Sequence, residues 1–200
     1  MEWVILGYLL SLAIFIPSSG WIGDKFGTKK TFLFALTMFT LASMLCGQAN
    51  SLGQLIAFRL LQGVGGGMLT PVGTAMLYRA FPPEERARAS AVLIIPSVIA
   101  PALGPVVGGA IVTHTSWRWI FYVNVPIGIA GFIFGALYLR ESKEPTAGSF
   151  DLAGFLLAAS GLASVLYAMS QGPDKGWASG EVLVTAVGGL VLLAAMVRVE

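Results

Sequence analysis

The sequence predicts an all-α membrane protein that crosses the bilayer seven times. Charged residues make up only 11% of the 200-residue chain against 56% hydrophobic, with a mean hydropathy of +0.81. Soluble domains carry about a quarter charged residues. Apolar runs cover roughly residues 3–22, 31–49, 52–78, 89–113, 117–139, 150–170 and 182–199, and each meets the length of about 20 residues that a helix needs to span the hydrocarbon core. Membrane strands would show segments of about 10 residues with alternating polarity, and no such pattern is visible.

Basic residues fix the orientation. Lys25, Lys29 and Lys30 fall between the first two runs, Arg79, Arg86 and Arg88 between the third and fourth, Arg140 and Lys143 between the fifth and sixth, and Arg198 after the seventh. The alternate loops hold only Arg118 and Lys175. Basic residues mark the cytoplasmic side, so the first loop is cytoplasmic and residue 1 external. The opening MEWVILGYLL has neither a basic n-region nor a cleavage site, so it is no signal peptide. A chain that starts outside without one predicts at least one further helix upstream of Met1.

The loop GWIGDKFGTKK is short, which makes the first two helices antiparallel neighbours. Asp24 falls at the C-terminal end of the first, where the macrodipole disfavours a carboxylate. It needs a cation or another helix's N-terminus. Lys25, Lys29 or Lys30 answers that need structurally; a contact with the far half of the protein, released on opening, answers it functionally.

The third run, SLGQLIAFRLLQGVGGGMLTPVG, contains Arg59 about two turns, roughly 10 Å, from its outer start. An arginine at mid-membrane costs about 2.5–3.5 kcal/mol on insertion scales, so it should face the protein interior and be paired. No carboxylate lies at comparable depth in the seven runs. The GVGGG stretch is not a dinucleotide fingerprint: its sixth position is Met68 and no strand precedes it. Gly63 and Gly67 instead form a small-xxx-small pair for helix packing, as do Gly104 and Gly108 in the fourth run.

FPPEERARAS opens the fourth helix with Pro82 and Pro83 near its first position and Glu84 and Glu85 in its first turn. Pro96, Pro101 and Pro105 then predict a helix that bends or breaks, a feature of transport sites near the midplane. In SWRWIFYVNVPIG, Trp117, Trp119 and Tyr122 form an interfacial belt with Arg118 reaching for water. Asn124 beside Pro126 suggests a kink whose amide pairs with a neighbour. RESKEPTAGSFDLAG is the longest polar stretch and the expected linker between units.

Chemistry is sparse. Cys46 is the only cysteine and His114 the only histidine, so no intrachain disulfide forms, no metal-ligand cluster is present and no nucleophile–base pair is visible. That argues against a membrane enzyme and calls for neither metal nor cofactor.

Four motifs together resemble the major facilitator superfamily. GWIGDKFGTKK, with Gly20, Gly23, Asp24, Lys25, Gly27, Lys29 and Lys30, looks like its loop between helices two and three. RLLQGVGGGM looks like its helix-four motif through Arg59, Gln62 and Gly63. GPVVGG matches the antiporter motif of helix five through Gly104, Pro105, Gly108 and Gly109. WRWIFYVNVPIG is similar to a stretch of the fourteen-helix drug:proton antiporter branch, the EmrB/QacA type, and Asp151, Gly154, Gly172, Trp177 and Ser179 look like that branch's extra helix pair. Lys25 and Thr28 depart from commoner basic residues in the first motif.

The resemblance implies the major facilitator fold, with the seven runs as helices two to eight of fourteen. Residues 1–139 would be most of an N-terminal six-helix bundle lacking its first helix, 140–149 a cytoplasmic linker, and 150–200 the extra pair between two bundles. It also implies multidrug efflux by proton-coupled antiport in the plasma (inner) membrane, exchanging a small lipophilic or amphipathic substrate for protons. Arg59 would tune a titrating carboxylate on helix one, or else only bond backbone carbonyls at a kink. Tyr8, Phe15 and Met68 would line the substrate cavity, or else face lipid or the core. Export of a specific metabolite, such as a sugar or siderophore, shares every motif, and an inactive fragment or half-assembly is the third reading. Nucleic acid has no place in any of them, and the sequence is silent on a periplasmic adaptor.

Overall fold

A computed structural model describes residues 2–144 and 148–199. Residues 145–147, within the expected linker, and both terminal residues lie outside the described set. The chain forms α1 (Glu2–Phe26), α2 (Thr28–Gln48), α3 (Leu52–Ala80), α4 (Pro83–His114), α5 (Trp119–Tyr122), α6 (Asn124–Tyr138), α7 (Leu152–Lys175) and α8 (Gly180–Val199). Counting α5 and α6 as one span, seven helices are long and apolar enough to cross a membrane.

The helix ends follow local chemistry. Ser51 caps α3 by accepting from the Gln54 N–H at 3.2 Å, and Asp151 caps α7 by accepting from the Gly154 N–H at 2.9 Å. Pro82 precedes α4 and Pro83 is its first residue, a position whose missing N–H is no loss. Val123 separates α5 from α6, and at that joint the Asn124 amide crosses to the Ser43 hydroxyl of α2 at 3.1 Å. The amide expected to pair with a neighbour does so.

α3 is the centre of the packing, seated between α1 and α2. Gly63 and Gly67 face α1: a Cβ at either would lie 2.7 Å from the Tyr8 carbonyl oxygen or 2.6 Å from that of Leu12. Gly65, about 200° round the helix from Gly63, faces α2, where a Cβ would lie 2.6 Å from the Phe39 nitrogen. Glycine on opposite faces therefore brings three backbones together, as the small-xxx-small spacing predicts. α1 and α3 run parallel at one register. Val4 meets Arg59 and Asp24 meets Arg79, each 55 residues apart, and Tyr8–Gly63 and Leu12–Gly67 keep the same offset. α6 packs on α2, while α7 and α8 form a hairpin resting on α1 through α7.

For the fourth run the sequence predicts a bend or a break at its prolines, and packing through its small-residue face. Of bend and break, the break does not occur: α4 continues from Pro83 to His114. It has no buried residue and touches only α3 and α5 among the described elements. A Cβ on Gly104, Gly108 or Gly109 would meet nothing within 4 Å. Their small-residue face therefore packs on no described element.

Replacing Gly67 with leucine forces a side chain into the α1 backbone and should lower stability by about 1–3 kcal/mol or more. Gly53→Ala, where a Cβ meets nothing within 4 Å, should leave it unchanged. Thermal unfolding of the full-length protein in detergent checks this; equal midpoints for the two variants contradict the packing.

Candidate functional site

Arg59 lies half-buried on the α3 face that meets α1. Its Nε donates to the Val4 carbonyl oxygen at 3.2 Å and a terminal nitrogen donates to Gln62 Oε1 at 2.8 Å. The guanidinium carbon stands 4.0 Å from the centre of the Tyr8 ring and 5.8 Å from that of Phe121. Stacking on an aromatic face attracts a cation by about 0.5–2 kcal/mol, more when water is excluded. Gln62 is only 1% exposed and also accepts from the Cys46 thiol at 3.9 Å. The Ser11 hydroxyl closes the same seam by donating to the Leu60 carbonyl at 2.7 Å.

No carboxylate among the described residues joins this group. Among the described residues the ion pairs are Arg79–Asp24 and Lys175–Glu181. Arg59 is thus held by a carbonyl, an amide and a ring, partners that orient its charge without neutralising it. The second terminal nitrogen has no acceptor among the described residues. A guanidinium has five donors in a fixed fork, and here part of that fork remains available to an anion.

The three residues assigned to a substrate cavity have different fates. Tyr8 supports Arg59, and Phe15 packs its Cβ toward Gly67. Met68 is 2% exposed and belongs to the core, so its cavity role is withdrawn: its position on α3 turns it inward between packed helices. An open groove of about 560 Å³ lies between α4 and the α5–α6 joint, lined by His114, Trp119, Tyr122 and Pro126 among others.

At the end of α1 Asp24 does find a cation, but none of the three lysines. Arg79, in the last turn of α3, donates to Asp24 Oδ1 at 2.6 Å. The 55-residue register brings the two together, whereas Lys29 turns to the Ala136 carbonyl of α6 at 2.7 Å and Lys25 and Lys30 are exposed. Gly23 is buried against Thr28 and Val72, and Gly20 is open. Arg118, expected in water, donates to the Ala49 carbonyl at 3.0 Å just beyond the C-terminus of α2, where a cation complements the dipole. Arg79 was not evident from sequence; only the parallel register of α1 and α3 reveals it.

The motif residues of the last two helices are their structural punctuation. Asp151 and Gly154 form the α7 cap, and Trp177 packs over Gly172, where a Cβ would lie 2.6 Å from the ring. Gly172, Trp177 and Ser179 therefore shape the turn of the hairpin.

Residues 1–198 match the pattern of the Major Facilitator Superfamily. The chain belongs to the major facilitator superfamily. It is 42% identical over 198 residues to a "Multidrug resistance protein B homolog" of Mycobacterium tuberculosis (strain ATCC 25618 / H37Rv), covering 98% of this chain and 37% of that protein. It is 38% identical over 192 residues to a "Putative multidrug resistance protein MdtD" of Serratia proteamaculans (strain 568), covering 96% and 39% respectively. The chain thus spans about two fifths of the length of these relatives. Family and helices together make it a multi-pass membrane protein.

The Asp24–Arg79 side chains are 37% and 31% exposed, so the pair should contribute less than about 1 kcal/mol to stability. Asp24→Asn and Arg79→Gln should each shift the unfolding free energy by no more than that, and the double variant by no more than either alone. Fully additive losses in a double-mutant cycle contradict the pairing.

Proposed function

We propose that this chain forms part of a proton-coupled multidrug exporter of the inner membrane. The observation that carries the reading is Arg59, a charged group inside an apolar bundle with no acid beside it among the described residues. Intramembrane charge is expensive and usually serves transport. Family membership and relatives whose names denote multidrug resistance favour the same function.

The mechanism follows from electrostatics. A carboxylic acid brought near Arg59 has its charged form favoured and releases its proton; moved away into apolar surroundings, it takes one up. Alternating the distance between the two groups with the conformation of the carrier couples proton entry to substrate exit. Tyr8, Gln62 and the Val4 carbonyl keep the guanidinium in place through the cycle. Substrates are small lipophilic or amphipathic compounds, because the helices offer apolar and aromatic surface with few polar groups. The Asp24–Arg79 pair gates the cytoplasmic end, and Gly104, Pro105, Gly108 and Gly109 provide a close-packing face on α4 that limits proton leak.

Arg59→Lys retains the charge but loses the planar fork and its stacking on Tyr8. In the full-length protein it should reduce proton-driven dye efflux at least tenfold, roughly the effect of one charge-assisted hydrogen bond. Wild-type efflux in everted vesicles would remove Arg59 from coupling.

A further inference from the structure

We propose that Glu141 is a positioning residue for the cytoplasmic gate: it caps α2 from the chain that follows α6, while Ser142 and Glu144 beside it hold the Asp24–Arg79 pair. The starting point is an accounting of backbone donors. The first N–H groups of a helix have no partner within it and are satisfied by a cap. α2 begins after Gly27, which has no side chain to supply one.

All three leading amides are met from 111 to 114 residues downstream. The Thr28 N–H donates to the Ser142 carbonyl at 2.9 Å. The Lys29 N–H donates to Glu141 Oε1 at 3.0 Å and the Lys30 N–H to Glu141 Oε2 at 3.3 Å. The next amide, Thr31, already donates to the Gly27 carbonyl at 3.0 Å. A carboxylate at this end of the helix also complements the macrodipole. Gly27 is required twice over: its φ is +106°, and a Cβ there would overlap the Glu141 carboxylate.

The same short segment holds both members of the gate. The Ser142 hydroxyl accepts from Arg79 at 3.3 Å, and the Glu144 N–H donates to the Asp24 carbonyl at 3.1 Å. Three residues within a four-residue stretch, Glu141, Ser142 and Glu144, therefore touch the start of α2, the end of α3 and the end of α1. Had α2 been capped from within its own loop, the chain leaving α6 could move without disturbing the gate. Here any displacement of that chain uncaps α2 and pulls on Asp24 and Arg79 together.

The proposal rests on the gate reading above for its functional consequence, and its first measurement is independent of transport. In the full-length protein in lipid nanodiscs, Glu141→Gln should raise amide hydrogen exchange across residues 28–31 roughly tenfold, as loss of a charge-assisted cap implies, while α7 exchanges as before. Unchanged exchange at 28–31 overturns the proposal. With ethidium as the transported probe, the maximal efflux rate should fall several-fold at an unchanged half-saturating concentration, since the gate is altered and the substrate site is not. A weakened half-saturation at full rate also overturns it. If ethidium is not exported by the wild type, the gate reading fails and exchange alone decides the clasp. Should Glu141→Gln not fold, Glu141→Asp, which keeps the charge but shortens the reach, carries the same expectations.

Discussion

The close approach of α3 to α1 and α2 is the constraint on which the remaining structure depends. Lipid offers no hydrophobic force between helices, so association relies on packing and on small residues that admit a neighbouring backbone. Gly63 and Gly67 on one face and Gly65 on the other let α3 seat between its partners. One register then follows for α1 and α3. It sets Arg59 beside Val4 and Tyr8 at one level and Arg79 beside Asp24 at another. The intramembrane charge and the ion pair at the helix ends are two readings of a single helix alignment.

A second theme is the satisfaction of helix ends by distant chain. α2 is capped at its start by Glu141 and Ser142, and Arg118 serves the carbonyl just past its end. Trp21 likewise reaches from α1 to the Gly148 carbonyl at 3.0 Å and stacks on Phe150 with ring centres 4.9 Å apart. Such long-range contacts leave few backbone groups near lipid without partners, and the one from Trp21 ties α1 to the chain that enters α7.

Much of this was legible in the sequence. Seven apolar runs became seven spans, since length and hydropathy alone decide membrane crossing. The glycine spacing around Gly63 announced close packing, and Asn124 beside Pro126 announced the joint at Val123, because both depend on local chemistry. Facing and register were not legible. Met68 resembles any cavity-lining apolar residue until its helix is packed, and Asp24 has three nearer lysines in sequence than Arg79. Glu141 lies so far from Lys29 that no periodicity connects them. In α4, three prolines announce a bend or a break; the helix continues unbroken, and its glycine face meets no described partner.

The proposed coupling requires that Arg59, oriented but without an acid among the described residues, act on a carboxyl group elsewhere in the membrane. The most direct test is an infrared titration of the carboxyl carbonyl stretch in the full-length protein in lipid, comparing wild type with Arg59→Gln. Removing the cation should move the midpoint of an intramembrane acid to higher pH by about one unit or more. Superimposable titration curves would contradict the claim.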